Sequence, residues 1–253
     1  MDVKGWPPTE YMTTTTANGR LCNQIIRNLC VSLLAEKSDL YVNYCSYDRI
    51  CQRMGIPLFI GRNMYHKTRI INDDTFLGVL DSKETLQENL DANQAYFQTR
   101  EITPLLYDHL RSVRESIVAA NPFRERYGQN DDCCVHIRLT DAAHHNPGLE
   151  YYSQCLSSIL CHDIYVATDQ PSHPLIQQLL ERHEKAKVLQ NLDEVQTLQF
   201  GSTCKYLVLS HGSYSAVMGW LAFDANVRYP KYNVRDMWYG DMFSIPSWTE
   251  VPW

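Results

Sequence analysis

The sequence predicts an α/β protein built on parallel sheet. Three observations carry that prediction. Short runs rich in β-branched and apolar residues recur at 133–139, 163–169, 187–190 and 205–210. Helical periodicity fills the gaps between them, at 149–160, 174–185 and 193–204, with a further stretch at 214–223 and a last strand candidate at 226–229. Strands alternating with helices make βαβ units, whose right-handed crossovers place every strand's carboxyl end on one edge. Each run also ends in polar residues. Arg138, Asp141, Thr168, Asp169, Ser210, Gly212 and Ser213 would converge on that edge. A buried strand gains nothing from a guanidinium at its end unless that group meets an anion, and α/β sheets bind ligands at this edge. Arg138 therefore stands where a phosphate would be.

From the N-terminus, residues 1–16 read as a leader with two prolines and the run Thr13 to Thr16. Asn18-Gly19 signals a turn. Ile25, Ile26, Leu29, Cys30, Leu33 and Leu34 then fall at helical spacing, with Arg27, Asn28, Glu36 and Lys37 off the stripe. A strand, a glycine turn and a helix N-terminus form a ready site for an anion or a sugar. Residues 40–44 read as a second strand, 47–54 as a short helix and 57–60 as a strand. Asp73-Asp74 lacks D-x-D spacing, which occurs nowhere in the chain, and reads as a turn. Residues 104–119 form one helix with Leu105, Leu106, His109, Leu110, Val113 and Ile117 along its stripe. Asn121-Pro122 ends it, and the polar stretch 123–132 marks the domain boundary. The expected domains are 1–125 and 126–235, with a Trp-rich tail, 236–253, that packs back on the body.

Composition narrows the function. The chain has 253 residues, 44% hydrophobic and 21% charged, enough for a sizeable core. A net charge of −6 argues against a nucleic-acid or anionic-membrane surface as partner. No apolar run has membrane-span length, and no signal-peptide pattern opens the chain, so the expected location is cytoplasmic. Nine cysteines (22, 30, 45, 51, 133, 134, 155, 161 and 204) show no C-x-x-C pair and no zinc-ligand spacing. They read as reduced thiols, without a metal.

Four stretches, in order, carry a resemblance. Gly19-Arg20-Leu21-Cys22-Asn23-Gln24, His136-Ile137-Arg138-Leu139-Thr140-Asp141, Ile164 to Pro171 with its Ala-Thr-Asp, and Cys204-Lys205 through Gly212-Ser213-Tyr214-Ser215 resemble motifs of the α-1,2-, α-1,6- and protein O-fucosyltransferase superfamily. Glu150-Tyr151-Tyr152 is similar to the α-1,2 branch. The resemblance implies a GT-B fold, two Rossmann-like domains facing a cleft. It also implies inverting, metal-independent transfer of a sugar from a nucleotide sugar, usually GDP-fucose, to a glycan hydroxyl.

On this resemblance Arg138 would hold the donor's β-phosphate. Ser213, Tyr214 and Ser215 would supply phosphate-side contacts, with Ser210, Gly212 and Thr168 beside them. His136 and Asp169 would lie near the nucleotide. Gly19, Arg20 and Asn23 would approach the transferred sugar from the other domain. Arg138, Asp141 and Asn23 are the candidates for the chemistry itself, and Asp141, His144, His145 and Glu150 for the acceptor's base. Leu139, Gln170 and Gly212 depart from the family pattern. They leave open another donor, such as UDP-xylose or GDP-rhamnose, or a non-catalytic nucleotide or glycan binder.

Overall fold

The structure is a computed structural model that describes residues 12–44, 48–141, 143–231 and 240–253. The start of the leader, Cys45, the first residue of the 47–54 helix and Trp238 lie outside the described residues. The chain divides into two compact units, Met1–Leu106 and Tyr107–Trp253.

In the first unit, β1 (Thr13–Thr14), β2 (Val42–Asn43), β3 (Thr68–Ile70) and β4 (Asn89–Asp91) form a sheet in the order β2-β1-β4-β3. Every pairing in it is parallel. Helices α1 (Leu21–Glu36), α2 (Asp48–Arg53) and α3 (Phe76–Asp81) fill the connections. β3, α3 and β4 come from the stretch whose periodicity is weakest. Asp73-Asp74 lies in a turn, as the sequence indicates.

Two expectations need correction. First, α1 is not a surface helix with a polar outer face, because Arg27 and Asn28 are both 0% exposed. Burial of such groups requires partners. The guanidinium of Arg27 donates to the carbonyls of Thr16 (2.7 Å) and Ala92 (2.9 Å), and Asn28 Oδ1 accepts from Thr15 Oγ1 (2.8 Å). Second, 57–60 is irregular rather than a strand. Pro57 has no N–H to give a ladder, and the amide of Phe59 donates instead to Ser32 Oγ (2.8 Å).

Helix α4 (Ile102–Ser112) carries the chain from the first unit into the second and is followed by α5 (Arg114–Ala120). The single helix expected over 104–119 breaks at Val113, where φ is −106° and ψ 19°. Ser112 Oγ donates to the His109 carbonyl (2.7 Å), a side-chain bond that competes with helix continuation.

The second unit holds β5 (Cys133–Ile137), α6 (Gly148–Ser157), β6 (Ile164–Thr168), α7 (Pro174–Arg182), β7 (Ala186–Val188), α8 (Glu194–Gly201), β8 (Tyr206–Val208), α9 (Ser213–Trp220), β9 (Asn226–Pro230) and β10 (Thr249–Val251). All the pairings are parallel, in the order β10-β9-β8-β5-β6-β7. Read from β7, this is the Rossmann order 3-2-1-4-5-6. Side chains alternate along β5 as a strand requires. Cys133, Val135 and Ile137 pack with Tyr151, Tyr152, Ile176 and Leu179 of α6 and α7. His136, between them, meets Ser215 and Tyr214 of α9.

The sixth strand, which periodicity did not predict, comes from the tail. β10 extends the sheet beyond β9, and Trp248 beside it packs on Gly219 of α9. Among the described residues no helix is long and apolar enough to cross a membrane. The eight described cysteines are all buried. Burial pushes the Cys133 and Cys134 thiols well above their ordinary range and holds Cys155 at about 11, which argues against redox duty.

A Cβ at position 219 would lie 2.4 Å from the Trp248 ring. Gly219→Ala is therefore expected to cost about 1–3 kcal/mol through overpacking, read as a lower urea midpoint with an unchanged m-value.

Candidate functional site

In a doubly wound sheet, consecutive crossovers cover opposite faces on either side of the point where strand order reverses. The crevice at the carboxyl ends there is the expected ligand site. In the second unit that point lies between β5 and β8. β5 is followed by Arg138 and β8 by Ser210, His211 and Gly212. Seven of the sequence candidates, Arg138, His136, Ser210, Gly212, Ser213, Tyr214 and Ser215, belong to these two strand ends or to the start of α9. Thr168 and Asp169 end the adjacent β6.

The anion that Arg138 meets in this structure is Asp141. Its Nε donates to Asp141 Oδ1 (3.0 Å), and its Nη2 to Oδ1 (2.7 Å) and Oδ2 (2.8 Å). Arg138 is 17% exposed at its side chain and Asp141 47%, so the pair sits at the mouth of the crevice rather than inside the core. Nη1 takes no part in these bonds and lies toward Gly212, 3.4 Å from where a Cβ there would stand. Gly212 has φ +89°, a conformation that favours glycine, and it leads directly into α9. The first turn of α9 contains no acidic residue, so its amide dipoles and the guanidinium present positive potential to one spot. The Gly212 departure from the family motif thus has a backbone reason.

Asp169 acts as a clamp on the Arg138 loop. Its Oδ1 accepts from the Leu139 amide (2.8 Å), and its Oδ2 accepts from Thr140 Oγ1 (2.6 Å). Thr168 Oγ1 accepts from the Gln170 amide (3.2 Å) and closes the turn after β6. Leu139 is 5% exposed and joins the core with Tyr151 and Tyr152.

Sequence reasoning missed three supports. Asn146 Nδ2 donates to the Arg138 carbonyl (3.1 Å) and to the Tyr152 hydroxyl (3.0 Å), while the Tyr151 hydroxyl donates to the Leu209 carbonyl (2.8 Å). These tie the ends of β5 and β8 to α6. The adjacent tyrosines were visible in the sequence, but not which backbone groups they would reach. His211, 1% exposed, meets the ring of His145 edge-on at 5.5 Å.

His136 is 7% exposed, and its Nδ1 lies 2.6 Å from Ser215 Oγ. Burial, with help from Arg138, pushes its pKa down to about 4. The imidazole is neutral at physiological pH and holds the first turn of α9. Of the base candidates, Glu150 is paired with Arg182 (2.7 Å) on the outer surface.

In the first unit, the β1–α1 turn has Gly19 at φ +81° and exposed Arg20 at the N-cap. Asn23 lies in the first turn of α1, 9% exposed, and its Oδ1 accepts from Gln98 Nε2 (2.8 Å).

The opposite, amino edge of the second sheet holds a pocket of about 400 Å³ lined by Gly128, Asn130, Thr203, Lys205 and Asp224. It lies at the wrong end of the strands for a Rossmann ligand. Near that edge, Asp132, His162 and Asp163 bring potential metal-ligand atoms within 4.8 Å of one another. Arg126 (2.8 Å) and Lys187 (3.0 Å) already neutralise the two carboxylates.

No protein-family model matches the sequence, and no curated protein matches it. Solved structures do resemble the fold. The E. coli heptosyltransferase WaaC, crystallised with ADP-2-deoxy-2-fluoro heptose, superposes with a TM-score of 0.50 at 9% identity, over 91% of this chain and 92% of that one. POFUT1 in complex with GDP-fucose gives 0.49 at 10% identity, over 88% and 98%. The fucosyltransferase NodZ from Bradyrhizobium gives 0.48 at 11% identity, over 82% and 93%.

Two outcomes check this geometry. Because folding keeps His136 neutral, protonation favours the unfolded chain below the ordinary pKa of 6.5. Stability should fall from about pH 6.5 toward pH 4, by up to about 3 kcal/mol, and urea titrations of His136→Asn should lack that component. Asp141→Asn removes a competing anion worth about 0.5–1 kcal/mol at an exposed pair. Affinity for inorganic pyrophosphate, used as an anion probe of this crevice, should rise about two- to fivefold by calorimetry.

With two Rossmann-like units on wholly parallel sheets, the chain has the α/β fold of the GT-B glycosyltransferases.

Proposed function

We propose that the protein is an inverting glycosyltransferase that takes a sugar from a nucleotide sugar, GDP-fucose in the first instance, and moves it to a glycan hydroxyl without a metal. The observation that carries the reading is the meeting of Arg138 and the Gly212–Ser213 start of α9 at the reversal point of a Rossmann sheet. The four-motif resemblance supplies the donor. The absence of any D-x-D spacing from the sequence supports the metal-independent form.

The chemistry follows from charge. The acceptor oxygen forms a bond to the anomeric carbon as the bond from that carbon to the β-phosphate oxygen breaks. The bonding pair leaves with the diphosphate, and the acceptor proton passes to a base. Negative charge therefore grows on the leaving group along the reaction. A fixed guanidinium and amide or hydroxyl donors there stabilise the transition state more than the ground state. Arginine suits the task better than lysine because its planar fork meets two oxygens at once.

Nη1 is directed to the crevice already, while Nε and Nη2 must exchange Asp141 for phosphate oxygens. Asp141 in this reading is the counter-ion that holds Arg138 extended before the donor arrives. Asp141 is occupied by Arg138, and Glu150 by Arg182. His145, whose pKa burial and His144 hold below the usual value, stays neutral and able to accept a proton.

The departures at Leu139 and Gln170 keep a different donor as the second reading. Leu139 is sequestered in the core and offers the pyrophosphate no charge. Calorimetry with GDP against UDP separates the guanine from the uracil donors, and turnover of GDP-fucose against GDP-rhamnose separates the sugars.

Arg138→Ala is expected to lower the transfer rate on the order of 10²–10³-fold, with an unchanged circular dichroism spectrum. Wild-type turnover by this variant would remove Arg138 from the mechanism.

A further inference from the structure

The β1–α1 turn of the first unit is stitched to the loop after β4 at three places. Arg27 donates to the carbonyls of both Thr16 and Ala92. The Tyr96 hydroxyl donates to Asn18 Oδ1 (3.0 Å). Gln98 Nε2 donates to Asn23 Oδ1 (2.8 Å) across 75 residues of sequence. The loop after β4 is thus the second wall of the constellation that Gly19, Arg20 and Asn23 begin, although nothing in its composition marks it.

The Gln98 contact is built with care. Gln98 is 3% exposed and Asn23 9%. The preceding residue, Phe97, has φ +56°, a left-handed conformation that costs a bulky residue about 1–2 kcal/mol. Its ring is fully buried against Phe76, with centroids 5.4 Å apart, which offsets that strain and fixes the direction of the next side chain. On the other side, a Cβ at Gly19 would fall 2.5 Å from Asn23 Nδ2, so no side chain can stand beside that amide nitrogen.

We infer that Gln98 is a positioning residue that sets the polarity of the Asn23 amide. Gln98 occupies the carbonyl oxygen, so the NH₂ group is what Asn23 offers beside Gly19. An amide free to rotate would serve donors and acceptors alike, whereas a pinned one serves acceptors only. Resting on the glycosyltransferase reading above, the substrate atom that meets Asn23 is a hydrogen-bond acceptor, an oxygen without a hydrogen to give. A preset donor at such an atom costs no reorganisation as charge develops.

Two variants and one spectroscopic measurement test this. Gln98→Met keeps the length and removes the hydrogen bond. Gln98→Glu keeps the shape but can only accept, which turns the Asn23 carbonyl outward. Both are expected to lower kcat about 10- to 100-fold, as supporting-shell changes do, with KM little changed. Adding Gln98→Met to Asn23→Ala should bring almost no further loss. Full activity in Gln98→Glu, or losses that multiply in the double variant, would overturn the assignment.

Side-chain amide NMR of the wild-type protein reads the polarity without turnover. The Gln98 NH₂ should be protected from solvent exchange, and the Asn23 NH₂ should exchange with water. The reverse pattern overturns the inference even if Gln98→Glu fails to fold. A protein that transfers no sugar yet shows the expected exchange pattern would reject the glycosyltransferase reading and leave the polarity of Asn23 established.

Discussion

The reversal of strand order between β5 and β8 is the constraint on which the second unit depends. A helix that leaves β5 covers one face of the sheet, and a helix that leaves β8 covers the other. No helix can then roof the space between the two carboxyl ends. Arg138 and Gly212 border that gap from opposite strands. Their meeting is a consequence of topology, since 74 positions separate them in the numbering.

Around that gap the polar groups divide into supports and contacts. Asp169, Asn146, Tyr151 and His136 all spend their hydrogen bonds on the protein, holding the β5 loop, the end of β8 and the first turn of α9. Fixing a loop this way removes conformational entropy that a ligand would otherwise have to remove on binding. Arg138 differs from them in the exchangeable nature of its partner, Asp141, whose side chain is 47% exposed. An exposed ion pair contributes little to stability, so Asp141 can yield the guanidinium to a doubly charged competitor at small cost. Its value lies in keeping a long side chain extended toward the crevice.

The first unit shows the same division on a smaller scale. Arg27 is a buried cation that donates to the carbonyls of Thr16 and Ala92, and it binds two loops together. Arg20, seven positions earlier, is exposed at the head of the same helix. Helical spacing put Arg27 and Asn28 outside because it counts apolar positions and is blind to loops that close over a polar face. The weakly periodic stretch 63–93 hid β3, α3 and β4 for a related reason. β3 is three residues long and exposed throughout, so neither alternation nor an apolar run could mark it.

The sequence alone determined the α/β class, the strands β5, β6 and β8, the glycine turn at 19, and the place of Arg138 at the end of β5. Those features are local: period-two burial, β-branched runs, and backbone that only glycine enters easily. Tertiary structure decided the rest. It chose the strand order, added β10 from the tail, turned Leu139 into the core, gave Asp169 to the Arg138 loop and brought Gln98 to Asn23. Each of these rests on contacts between residues far apart in the chain, whose closeness is set by packing and by the need to satisfy buried polar groups, and no pattern within a single segment records it.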